Sequence, residues 1–170
     1  IIVAKGEVAA REWAAGLKAN LARKPQGNDR AQVKAVYEGE CDVAVGNTYY
    51  MGKMVTNQKK PVQKKWAASV NVIFPNQGDR GAHVNVSGAG VTAHAKNKAN
   101  AVKLIEFLSD DAAQKIYAEK NFEYPVKAGV AIHPIVASWG TFKADKESLA
   151  KIANQRTLAS RLVDQVAFNK

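Results

Sequence analysis

Cysteine is almost missing from this chain: Cys41 stands alone among 170 residues. A single thiol excludes an internal disulfide and every zinc site built from several cysteines. It lies in the apolar stretch Cys41-Asp42-Val43-Ala44-Val45, where a buried, inert thiol is expected rather than a nucleophile. Long apolar runs are also lacking, and none approaches the roughly 20 residues that a membrane-spanning helix requires. The N-terminus has no Met, no charged n-region and no h-region, and "IIVAKGEVAAREWAAGLKANLARK" reads like the middle of a larger protein. Histidine is scarce, and His83, His94 and His133 contain no i,i+4 pair that would put two metal ligands on one helical face. Surface or hydrogen-bonding roles are expected for all three.

Acidic residues are the minority charge, 15 against 25 basic ones, for a net charge of +10. Such a surplus suits nucleic acid, anionic lipid or an anionic solute. The densest basic cluster, Lys59-Lys60 with Lys64-Lys65, has only Trp66 as an aromatic companion and no recognition motif, so a solvated surface and no nucleic-acid partner are expected. Catalytic groupings are missing as well. Ser87 lies in no strand-turn-helix elbow, and Glu7, Glu12 and Glu119 fall on expected helix surfaces. The glycines of Ser87-Gly88-Ala89-Gly90-Val91 lack the third glycine of a dinucleotide fingerprint and read as a structural bend. The sequence is not expected to encode an enzyme.

Of what is present, 46% is hydrophobic, enough for a core of ordinary size. Val8, Trp13, Leu17 and Leu21 fall near helical spacing between Glu7 and Arg23. Asn28 or Asp29 can cap a second helix that carries Val33, Val36 and Tyr37 and stops at Gly39. Strands are expected at Cys41–Asn47, Ser69–Phe74 and His83–Thr92, and helices from Lys98 to Leu108, Asp111 to Lys120 and Glu147 to Phe168. Strands alternating with helices imply an α/β architecture.

The segment Gly46-Asn47-Thr48-Tyr49-Tyr50-Met51-Gly52-Lys53 sets two phenols side by side where a strand gives way to a third helix running through Met54. Adjacent side chains point to opposite faces of a strand and are splayed by roughly 100° around a helix, so two phenols converge on one target only where the backbone turns. One packed and one exposed ring is the alternative reading of such a pair.

The stretches "QGNDRAQVKAVYEGECDVAVGNTYYMGKM", "FPNQGDRGAHVNVSGAGVTAHAKNKANAVKLIEFLSDDAAQKIYAEKNFEYPV" and "ASWGTFK" closely resemble the periplasmic ferric iron-binding proteins of ABC transporters, in order, from about Gly6 to Lys143. The resemblance implies a type II periplasmic binding protein-like fold, of which this chain is the C-terminal half and mostly one lobe. It implies that residues 1–82 form the C-terminal-lobe portion carrying the tyrosines, that 83–130 cross into the N-terminal lobe, and that 131–170 form a C-terminal helical region. In the family the adjacent tyrosines ligate Fe(III), which assigns Tyr49 and Tyr50 as metal ligands and Asn47 to a synergistic anion such as carbonate or phosphate. It further implies uptake through an inner-membrane ABC permease, a periplasmic or lipid-anchored location, additional ligands from an N-terminal portion, and self-association of a lobe left alone. Another small solute, or a role as effector-binding fragment of a transcription regulator, is the alternative function.

Overall fold

The computed structural model describes residues 1–169 and is built from short helices. The first, α1 (Ile2–Ala19), is broken at Gly6, whose φ of 82° and ψ of 172° no α-helix accepts, so its regular part begins at Glu7. Its inward stripe is made of Ala10 and Ala14 rather than Trp13, and they pack with Leu162, Ile2 and Val166. Val8 and Trp13 face solvent. Small residues let the backbones approach, which joins α1 to the C-terminal helix α9 (Arg156–Gln165). The expected helix from Glu147 to Phe168 is two helices, α8 (Leu149–Asn154) and α9, divided at Gln155.

Helix α2 (Asp29–Tyr37) has the ends its sequence dictates. The Asn28 side chain accepts from the Ala31 N–H, closing the N-terminus. At the other end Gly39 adopts φ 73°, while its N–H reaches the Val36 carbonyl and the Glu40 N–H reaches that of Ala35. This is the paired arrangement that a left-handed glycine permits. Helices α3 (Thr48–Val55) and α4 (Val62–Ala68) complete a three-helix cluster with α2, in which Ala35, Met54 and Ala67 are buried. The lysine cluster lies on and before α4, mostly solvated, as expected.

Helix α5 (Lys98–Leu108) matches its expected bounds. The next one starts at Asp111 as expected, but it is α-helical only to Ile116 (α6) and continues as a π-helical turn over Tyr117–Asn121. Phe122 then takes a left-handed φ of 59° and is buried. Buried Gln114 satisfies both ends of its amide, donating to the Leu108 carbonyl at 2.7 Å and accepting from the Val126 N–H at 2.9 Å. It thereby ties the extended link after the π turn to the α5–α6 corner. Helix α7 (Pro134–Ala137) is a single turn capped by His133, whose Nδ1 accepts from the Ile135 N–H, so this histidine has a structural role.

The three expected strands do not form ladders. Among the described residues the one β-bridge is parallel, between Ala82 and Ala144. Cys41–Asn47, Ser69–Phe74 and His83–Thr92 run without strand partners, because a strand exists only where a neighbour receives its N–H and C=O groups. Their apolar side chains are left in water: Val43 is 78% exposed, Val45 83% and Ile73 82%. Cys41 is half-buried in one of these segments rather than enclosed. The accessible surface of 11994 Å² is well above the roughly 8,200 Å² expected of a compact monomer of this mass.

Candidate metal centre

The tyrosine pair stands on the first turn of α3. Asn47 is the residue before the helix, with extended backbone (φ −84°, ψ 133°), and Thr48, Tyr49 and Tyr50 are the first three helical residues. That change of direction brings adjacent rings together: their centroids lie 4.4 Å apart, with the planes tilted by 37°. Both rings are half-buried, so the pair is neither one packed ring nor one exposed ring.

Positive groups flank it. The Arg30 guanidinium carbon lies 4.6 Å from the centre of the Tyr50 ring. Lys53, one helical turn after Tyr49, places Nζ 5.2 Å from the Tyr49 ring centre and 5.9 Å from that of Tyr50. The Tyr49 phenol titrates above its ordinary value of 10.0, first because of hydrogen bonding with the Tyr50 side chain, then through desolvation and the negative charge of Tyr50, Asp29 and Glu123. An uncompensated pair of phenolates repels itself, and a cation between the oxygens removes that penalty.

Asn47 is held from outside the turn. Its backbone N–H donates to Asp29 Oδ1 at 2.7 Å and its Nδ2 donates to the same oxygen at 3.0 Å. An amide nitrogen carries two hydrogens, so one more remains for another acceptor. Beneath the helix, Gly52 admits Phe122 at very close range: a Cβ at position 52 would stand 2.3 Å from Phe122 Cγ. Phe122 in turn meets His133 edge-on, with ring centres 4.8 Å apart. A glycine one turn beyond the tyrosines thus seats α3 on the π turn.

Glu123 follows Phe122 and accepts from Ser87 Oγ at 2.7 Å and from Asn121 Nδ2. The glycine segment 87–91 is therefore tethered at its serine and has no phosphate-cradling helix after it. Among the described residues no three His, Cys, Asp or Glu side chains gather where they would hold a metal. Tyr49, Tyr50 and Asn47, the residues expected from the sequence to share a site, do stand together, and Asp29, Arg30, Lys53 and Glu123, given no role there by the sequence, surround them. Only Lys53 carried a local signal, its helical spacing from Tyr49.

The model of the bacterial extracellular solute-binding protein family matches residues 3–144. Iron uptake protein A1 of Synechocystis is 47% identical over 168 residues, which are 99% of this chain and 46% of that protein. The apo ferric ion-binding protein A of Pasteurella haemolytica is 51% identical with a TM-score of 0.94, over 99% of this chain and 52% of its own. A Trichodesmium protein in complex with iron and citrate ligands is 41% identical with a TM-score of 0.91, over 98% of this chain and 52% of that one. The chain spans about half the length of the curated relatives it matches. Agreement of the backbone at these scores makes the fold that of one half of a type II periplasmic binding protein, even though the expected strands stay unpaired here. With 142 consecutive residues matched by the family model, the chain belongs to the bacterial extracellular solute-binding proteins.

Proposed function

We propose that this chain carries the ferric-iron ligands of the solute-binding component of an ABC uptake system, with Tyr49 and Tyr50 as the two ligands it supplies. The observation that carries this reading is the pair of half-buried phenols whose rings meet at 4.4 Å on the first turn of α3. Two phenolates give Fe(III) the hard anionic oxygen it prefers, and the unsatisfied N–H groups of the helix start add positive potential that favours the ionised form. The iron-binding names of the relatives support the same cargo.

Fe(III) bound by two phenolates still carries a positive charge, and Arg30 and Lys53 add more beside it. An anion such as carbonate or phosphate is therefore the expected companion, with the second N–H of Asn47 as one donor to it. Further ligands come from the part of the longer protein that matches the other half of the relatives, which also supplies partners for the unpaired extended segments. In this reading residues 1–82, 83–130 and 131–170 are respectively the lobe portion holding the site, the crossing segment and the C-terminal helices. The protein works in the periplasm or on a lipid anchor and hands iron to an inner-membrane permease.

The test is metal analysis of the native protein together with its visible spectrum. Bound Fe(III) and a phenolate-to-iron band are expected. Each of Tyr49→Phe and Tyr50→Phe weakens the band, and the double variant abolishes it. A double variant that keeps its colour overturns the ligand assignment.

A further inference from the structure

Three consecutive residues at the start of α2 do three different things. Asn28 caps its own helix through the Ala31 N–H at 3.2 Å. Asp29 reaches across to the other helix start, where one carboxylate oxygen accepts both the backbone N–H and the Nδ2 of Asn47. Arg30 lies over the Tyr50 ring. The middle contact is the unusual one. A residue in the position of Asn47 normally folds its side chain back to accept an N–H from the first turn of its own helix. Asn47 makes no such bond, its side chain being turned to Asp29 instead. The beginning of α3 is thus fixed by α2 rather than by itself. Gly46 completes the arrangement, since a Cβ there would stand 3.3 Å from the same Asp29 oxygen.

We propose that Asp29 is a positioning residue for the tyrosine pair: it holds Asn47, and through it the first turn of α3, so that Tyr49 and Tyr50 leave the helix in the direction a metal ion requires. This rests on the reading of the pair as ferric ligands. A charged acceptor taking two N–H groups makes a stronger attachment than a neutral one. Ligating side chains gain from being held within about 0.5 Å of their working positions by neighbours that touch no metal. A helix start released from that hold frays, because its first N–H groups have no partners within the helix.

The test compares Asp29→Ala, Asp29→Asn and Gly46→Ala in the full-length protein. Amide hydrogen exchange is followed by NMR on iron-free samples, and the rate of iron loss to excess citrate after loading with ferric citrate is followed separately. In Asp29→Ala, exchange at Asn47 and iron loss should each quicken about tenfold, the scale of one charge-assisted hydrogen bond at an exposed position. Asp29→Asn keeps an acceptor oxygen in the same place without its charge and should quicken both by about threefold, clearly less than Asp29→Ala. Gly46→Ala, which crowds the oxygen without removing it, should fall between them. Unchanged Asn47 exchange in Asp29→Ala overturns the proposal, as does faster exchange with unchanged iron loss. Exchange that quickens equally throughout α2, α3 and α4 overturns it too, by making Asp29 a general stabiliser. Equal impairment of Asp29→Ala and Asp29→Asn shows that charge acts instead of the hydrogen bonds, and sinks it. Because exchange is read without iron, it judges the attachment even if the double tyrosine variant keeps its colour, a result that removes the ligand reading instead.

Discussion

The cluster of α2, α3 and α4 and the extended segments that run between the helices follow opposite rules. In the cluster Met54 is fully buried, Gly52 is filled by Phe122, and Gln63 takes a hydrogen bond from Asn57 at 2.8 Å. In the segments Val43, Val45 and Ile73 stand in water. Both regions are apolar in sequence. Helices satisfy their backbone groups internally and need only a face to pack, whereas strands need a second chain segment before burial can begin. The contrast teaches that the tyrosine-bearing turn is held by contacts within the described residues, while the extended segments find no strand partner among them.

The comparison can be broken by mutation. The largest loss is expected for Met54→Ala, about 3 kcal/mol of unfolding free energy, since a fully buried side chain leaves a cavity. Urea denaturation measures it. Next comes acid. In the proposed site binding releases the protons of both phenols, and the raised Tyr49 pKa keeps that phenol protonated throughout the neutral range. Lowering the pH therefore strengthens the proton as competitor, and affinity for Fe(III) should fall by about a hundredfold per pH unit for two displaced protons. A citrate competition series from mildly alkaline to mildly acidic solution checks the slope; a flat series contradicts a phenolate site.

Smaller effects sharpen the same contrast. Gly52→Ala should cost about 2 kcal/mol, because the added methyl overlaps the Phe122 ring, and it should also weaken the iron band by shifting α3. Val45→Thr and Ile73→Thr should each change stability by less than about 0.5 kcal/mol in this 170-residue chain, the range for exposed positions. Sedimentation run beside the melts tests whether these segments pair between copies. A larger loss in a self-associated sample would mean that they do.

What could be read from the sequence is what neighbouring residues decide. The Asn28 cap, the Gly39 stop and the bounds Lys98–Leu108 are local events and came out as expected. So did the tyrosine pair at a helix start, because the residues that turn the backbone sit beside it. Pairing is not local, so a strand-like pattern announced three strands for which the described residues form no ladder. The same limit hid most of the site's surroundings. Asp29 meets Asn47 across 18 positions of sequence, and no period or motif in either segment reports that contact. Trp13 misled for a different reason: it falls near helical spacing with Val8, Leu17 and Leu21, but the close approach of α1 to α9 selects the alanine face.

The π turn at Tyr117–Asn121 acts as a register spacer. A π turn holds about one residue more than an α turn, so its presence sets the rotation at which the chain leaves α6. Deleting one residue there would restore ordinary winding and turn everything beyond it by about 100°. Phe122 would then miss the gap above Gly52, and the aromatic seat beneath the tyrosines would be lost without a change to any residue touching it. Length, as well as composition, is therefore under constraint in this stretch: among the changes to be found there, substitutions on its outer surface should be tolerated and single-residue deletions should not.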